Sequence, residues 1–259
     1  MAGILGPGLT AQGYEGAELL LPLVVALILV TVLAHGLTIG PLSRRFGLSA
    51  ATPDGVLIVG ASPWTVGLAR ALEENEAPVM IVDSSWHRLS AARLGGVKVF
   101  LGEIHAEESE QQLELNDFGC LLAASEVDAC NALVCSRFAD EIGRTRVFQL
   151  PDHSSQAPKE KTLPRAVRGL ATPADDAWFE NLLSKSYAGW EFHTTPLTHD
   201  VGFDQWTASV PPGSMATLGL RPDGAVLFNS PEQPVKFQSG DKLVWYGPRQ
   251  AEHRRSGER

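Results

Sequence analysis

The sequence predicts an α/β fold: a doubly wound parallel sheet, preceded by one apolar helix and followed by a small β-rich domain. Three observations predict it. Between residues 54 and 150, short runs rich in Val, Ile and Leu alternate with runs of helical period. Before them, Leu19 to Ile39 contains no Asp, Glu, Lys or Arg, and at about 21 residues it is long enough to cross a bilayer as a helix. From Trp190 onward the pattern changes to short strands separated by turn signals.

The apolar stretch comes first in the chain and defines a membrane segment over residues 1–47, with the transmembrane helix at about 19–40. Leu, Val, Ile and Ala dominate Leu23 to Ala34, and Pro22 suits the first turn. No basic residue precedes Arg44, which argues against a secretory signal. Arg44 and Arg45 follow the span directly, so the positive-inside rule puts the C-terminal side in the cytoplasm. His35 lies in the span near that end, where a neutral, solvent-reachable imidazole is expected. Gly36 and Gly40 read as ordinary helix-end glycines rather than as a helix-docking pair.

The stretch Val56 to Asp83 organises the next part, residues 54–150. Val56–Gly60 is a strand ending in a glycine turn, Trp64–Glu74 a returning helix, and Val79–Asp83 a strand ending in an acid. That is the first half of a nucleotide-binding βαβ unit, and the domain reads as Rossmann-like. A phosphate over Gly60, Ala61 and Ser62 would meet a helix N-terminus. Asp83, about 23 residues after Gly60, stands near the spacing of a ribose-binding acid. The glycine fingerprint is incomplete: Ser62 holds the second glycine position and Thr65 the third. A Rossmann-like domain that holds no nucleotide is therefore the alternative reading.

Further strands are expected at Val97–Leu101, Phe118–Ala123 and Arg146–Leu150, and helices at Trp86–Leu94, Glu107–Leu115 and Val127–Ile142. Asp128 and Asn131 start the helix after the fourth strand. They either face the nucleotide crevice or cap that helix. The acids Glu103, Glu107, Glu108, Glu110 and Glu114 read as a solvated helix face rather than a cation site.

Residues 151–188 read as a linker and a helix, with Thr172 as its cap and Pro173 at its first position. Residues 189–248 read as the β-rich domain, with strands at Glu191–Leu197, Gln205–Val210, Ala216–Leu220, Ala225–Phe228 and Lys242–Tyr246. Residues 249–259 are a charged tail.

Composition narrows the function. A chain of 259 residues with a formal charge of -9 is not suited to nucleic acid. Cys120, Cys130 and Cys135 show neither metal-ligand spacing nor an even framework, and read as reduced thiols. The tyrosines, Tyr14, Tyr187 and Tyr246, do not precede a lysine by four residues, and there is no Gly-x-Ser-x-Gly elbow. An enzyme, for instance a membrane-anchored oxidoreductase with a Rossmann half, is the less favoured class. A structural dimerisation module with an empty pocket is a third.

Thr31 to Leu42 with Arg44 and Arg45 resembles the last transmembrane helix of bacterial NhaP-type sodium/proton antiporters, in the monovalent cation:proton antiporter family. Ser62-Pro63-Trp64, Asp83-Ser84-Ser85-Trp86, Ala91–Gly96, Gly102 and Ser125–Asn131 resemble the TrkA-N domain, the Rossmann-like half of regulators of potassium conductance (RCK). The resemblance implies a nucleotide-sensing regulatory region with an antiporter's last helix, in the bacterial inner membrane with its soluble domains in the cytoplasm. It implies NAD(H) or an adenine nucleotide as ligand, held by Gly60, Ala61, Ser62, Asp83, Asp128 and Asn131. Its implied partners are the antiporter's membrane helices and a second copy paired through the Rossmann-like domain. The single span contains no acid, so this chain alone is not expected to carry an ion across a bilayer.

Overall fold

The structure is a computed structural model and describes residues 19–45, 55–104, 117–152, 164 and 167–249. The chain forms two units, Met1–Ala51 and Thr52–Arg259.

In the first unit, helix α1 covers Leu20–Arg45. Its 26 residues give about 39 Å of helix. Apolar side chains lie exposed on every side of it, Leu23, Val25, Ile28, Val30 and Leu33 among them. Its polar groups are answered within the helix. Thr31 Oγ1 donates to the carbonyls of Leu27 and Ile28, Thr38 Oγ1 to that of Ala34, and His35 Nδ1 to that of Thr31 at 2.7 Å. Among the described residues no helix is long and apolar enough to cross a membrane.

In the second unit, six parallel strands form one sheet: β1 (Gly55–Val59), β2 (Val79–Asp83), β3 (Lys98–Leu101), β4 (Phe118–Ala123), β5 (Val147–Gln149) and β6 (Leu170–Ala171). Their order is β3-β2-β1-β4-β5-β6, so the winding reverses between β1 and β4. Between them run α2 (Pro63–Glu74), α3 (Trp86–Leu94) and α4 (Asp128–Ile142). The expected helix over Glu107–Leu115 lies outside the described residues, as does most of the acidic cluster.

The strands are apolar on both faces because both faces are covered. Leu57, Met80, Val82 and Leu121 point to α4 and its Val134, Cys135 and Phe138. Val56, Ile58, Ile81 and Leu122 point the other way, into a core shared with α2 and a second sheet. That second sheet is antiparallel, in the order β7-β10-β8-β9. Its strands are β7 (Trp190–Pro196), β8 (Met215–Leu220), β9 (Val226–Phe228) and β10 (Lys242–Pro248). Period-two alternation splits β10 cleanly. Val244 and Tyr246 join the shared core, while Leu243 and Trp245 face a smaller outer cluster.

Helix α2 lies between the two sheets, which explains its composition. Trp64 is buried, with its ring 5.6 Å from Phe192 and 6.4 Å edge-on from Tyr246. A Cβ at Gly67 would stand 3.2 Å from the Phe192 ring, so the absence of a side chain lets β7 approach. The fingerprint departs from its glycine pattern where α2 must fill this interior.

Three expectations change. The run Gln205–Val210 is not a strand; it lies largely in α6 (Phe203–Ser209). Phe203, Trp206 and Val210 follow a helical spacing and cover Trp245 and Phe237. Thr172 does not cap a helix. The helix there, α5, covers Phe179–Tyr187, and Thr172 Oγ1 instead donates to the Asn229 carbonyl at 2.6 Å. The stretch read as a linker supplies β6, which pairs with β5 through Phe148 and Leu170.

Candidate functional site

A cleft of about 350 Å³ opens at the carboxyl ends of β1, β2 and β4, where the strand order reverses. Open α/β sheets bind ligands at such switch points. The turn after β1 brings Gly60 and Ala61 to it, β2 brings Asp83, α3 brings Arg88, and the turn after β4 brings Ser125 and Glu126. Val59, Val82, Ile104, Val134 and Phe179 form its apolar part.

Gly60 makes the close approach of these turns possible. Its φ is +106°, and a Cβ there would stand 2.7 Å from the Ser125 nitrogen and 2.8 Å from the Ala124 carbonyl oxygen. Any other residue would both strain the backbone and push β4's exit away.

Asp83 is buried at the end of β2 and its carboxylate is fully engaged. Oδ2 accepts the Ala61 N–H at 2.8 Å, and Oδ1 accepts the Ser85 N–H at 2.7 Å. Arg88 adds its Nε at 3.1 Å to both oxygens and its Nη2 at 3.0 Å to Oδ1. Arg88 Nη1 also reaches Glu126 Oε1 at 3.5 Å, so the guanidinium ties the β2 wall to the β4 wall. Its pKa is raised, first by the hydrogen bond to Asp83, against a lowering by partial burial, with attraction to Asp83 and Glu126 adding to the rise.

The turn into α2 is answered from within. Ser62 is the N-cap: its Oγ accepts the Thr65 N–H at 3.2 Å, and Thr65 Oγ1 accepts the Ser62 N–H at 2.8 Å. Pro63 has no N–H to give. With Ala61 bonded to Asp83, the Ala61, Ser62 and Thr65 N–H groups of this turn already have acceptors. This capping box is the physical content of Ser62 and Thr65 standing at glycine positions.

Of the six expected ligand-binding residues, Gly60, Ala61 and Asp83 line the cleft together. Ser62, Asp128 and Asn131 do not. Asn131 is buried and clamps the β4–α4 turn. Its Oδ1 accepts from the Ser125 N–H and Oγ at 2.9 and 2.8 Å, and its Nδ2 donates to the Ser125 carbonyl at 3.0 Å. Asp128 lies in the first turn of α4. Arg88 and Glu126 were not expected at the site. Their only sequence trace is a basic residue five positions after a strand-end acid, and an acid just after β4. Among the described residues no His, Cys, Asp and Glu group could hold a metal ion.

The cleft thus offers an apolar surface next to a charged, hydrogen-bonding edge, suited to a small ligand with an apolar ring system and hydroxyl or phosphate groups.

Comparison with known proteins bears on this part of the chain. The curated proteins contain no match to it. Among solved structures, the GsuK channel bound to NAD is similar over 75% of this chain and 36% of the channel's own chain, at 14% identity and a TM-score of 0.39. The NAD(P)-binding domain of an exopolyphosphatase-related protein from Archaeoglobus fulgidus is similar over 51% of this chain and 97% of its own, at 17% identity and a TM-score of 0.38. The GsuK RCK domain is similar over 75% of this chain and 44% of its own, at 14% identity and a TM-score of 0.35. The present chain therefore spans about a third of the channel and under half of that RCK domain chain. Residues 56–158 match the family model of the TrkA-N domain. The stretch that builds the cleft is thus of TrkA-N type.

Proposed function

We propose that this chain is the nucleotide-sensing regulatory region, with the last membrane helix, of an NhaP-type monovalent cation:proton antiporter in a bacterial inner membrane. The observation that carries the sensing role is Asp83, a carboxylate at the end of β2 inside a cleft at the sheet's switch point. Together with the TrkA-N match it supports NAD(H) or an adenine nucleotide as ligand. The residues present fit the adenosine half of such a ligand. The apolar wall formed by Val59, Val82 and Ile104 suits the base, and Asp83 with Arg88 suits the ribose and what it carries. The ligand's role is to change which bonds Arg88 and Asp83 make, and so to bias two arrangements of paired domains.

The membrane part of the proposal is supported by α1. A helix apolar on all sides is covered by lipid or by other helices, and Thr31, His35 and Thr38 bond inward as an apolar surrounding requires. Arg44 and Arg45 then keep the second unit on the cytoplasmic side. The ion path belongs to further helices, and a second copy pairs through the Rossmann-like part.

A second reading is favoured by one observation. The Ala61 and Ser62 N–H groups are bonded to Asp83 and Thr65, as they would be in a module that binds nothing. Calorimetric titration of the full chain with NAD⁺, NADH, ATP, ADP and AMP separates the two. Saturable heat with at least one of them, lost in Asp83→Ala, supports sensing; no heat with any supports the non-binding module. For the anchor, release of the chain from membranes by carbonate would reject it.

A further inference from the structure

A second cavity lies toward the amino-terminal ends of β4 and β5, the sheet edge opposite the cleft. It encloses about 240 Å³ between that edge and the β8–β9 hairpin. Its charge is unlike that of the chain. The whole chain carries -9, yet this lining contains Arg146, Arg221 and Lys236 and no carboxylate. Among the described residues, none of these three cations takes part in an ion pair. Arg221 Nε is buried and has no hydrogen-bond partner among the described residues. An unanswered buried donor is destabilising, more so when it is charged. Such a group in a folded protein calls for an acceptor.

The remaining wall is mostly apolar, with Thr145 and Gln233 as its uncharged polar members. The Phe148 and Phe228 rings stand 5.0 Å apart, beside the Cys120 side chain. Two guanidinium groups and an ammonium in one lining suit a dianion, since an arginine fork meets two phosphate oxygens at once. An aromatic pair in the same lining suits a compact apolar body. The volume falls below the about 300–1,000 Å³ of sites for larger ligands, which excludes a dinucleotide.

We propose that this cavity is a second ligand site, for a small phosphate monoester whose dianion is held by Arg146, Arg221 and Lys236 and whose apolar body lies on Phe148 and Phe228. It is separate from the cleft at Asp83 and does not depend on a nucleotide binding there.

The test uses the full chain in detergent and isothermal titration with phenyl phosphate, inorganic phosphate and phenol. Phenyl phosphate should bind saturably at one site per chain, inorganic phosphate at least tenfold more weakly, and phenol not at all. Raising NaCl from 50 to 500 mM should weaken phenyl phosphate, because the contacts are ionic. Arg221→Gln combined with Lys236→Gln should lower its affinity at least tenfold. Lys236→Glu alone, at an exposed position where folding is not at stake, should lower it at least fivefold. Asp83→Asn should leave it unchanged. Absence of saturable binding, or equal binding by the Arg221→Gln/Lys236→Gln and Lys236→Glu proteins, overturns the proposal. Loss of binding in Asp83→Asn overturns it as well, since the ligand would then sit in the cleft.

Discussion

The carboxylate of Asp83 accepts the backbone N–H of Ala61 at 2.8 Å, joining the end of β2 to the first turn after β1. One bond thus fixes the mouth of the cleft and occupies a donor that the fold ordinarily presents to a phosphate. Asp83 has a structural role and, under the proposed function, a ligand-facing one as well, and substitutions there should show both.

Asp83→Ala should destabilise the second unit by about 2–4 kcal/mol. It leaves the buried Ala61 N–H and the partly buried Ser85 N–H without their acceptor, and leaves the exposed Arg88 guanidinium with Glu126 alone. Asp83→Asn should cost less, because one amide oxygen still accepts. Urea unfolding followed by circular dichroism measures both; equal stability of all three proteins would contradict the bonding described.

Gly60→Ala should cost about 2–4 kcal/mol, combining backbone strain at positive φ with contacts of 2.7–2.8 Å against the β4 exit. Gly96, also at positive φ, meets nothing within 4 Å, so Gly96→Ala should cost about 1 kcal/mol. The difference in melting temperature between the two variants reads out the close approach of β1 and β4.

Trp64→Ala should cost about 3–5 kcal/mol, since the ring fills the space between the two sheets. Trp64→Phe should cost much less. The Trp64 Nε1 has no hydrogen-bond partner among the described residues, so nothing polar is lost with the indole. Denaturant midpoints of the pair test whether α2 is held by packing alone.

Alkaline pH should destabilise the fold through Cys135 and Tyr246. Burial pushes the Cys135 thiol up to about 12 from its ordinary value near 9, opposed by a backbone hydrogen bond from Gly169. Burial also raises Tyr246, against the bond to Ser186. Both groups are neutral in the folded chain where the unfolded chain would ionise. The Cys135 contribution is whole below about pH 9 and is lost as pH rises toward 12, and that of Tyr246 is likewise lost on the alkaline side. Cys135→Ala should flatten this alkaline loss in unfolding curves. Iodoacetamide at pH 8 should label exposed Cys130 and leave buried Cys135 unmodified.

Much of the parallel sheet was legible in the residues. The bounds of β2 and β4 and of α3 coincide with those read from the sequence. Buried parallel strands are short apolar runs closed by turn residues, and that signal is local. The Gln205–Val210 run was misread because Trp206, Ala208 and Val210 alternate like a strand, while Phe203, outside the run, completes the helical stripe. Strand β6, at two residues, is too short for any period and exists only through its pairing with β5.

The sequence by itself determined the alternation of strands and helices, the apolar helix at the start, and the carboxylate about 23 residues beyond the glycine turn. These follow from side-chain period and backbone freedom, which act between near neighbours. Tertiary structure alone decided that Arg88 and Glu126 meet at the cleft while Asp128 and Asn131 do not line it, and that Trp64 of α2 is enclosed between the two sheets. Those outcomes depend on where separate strands end in space and on the second sheet pressing on α2, contacts between residues far apart in the chain.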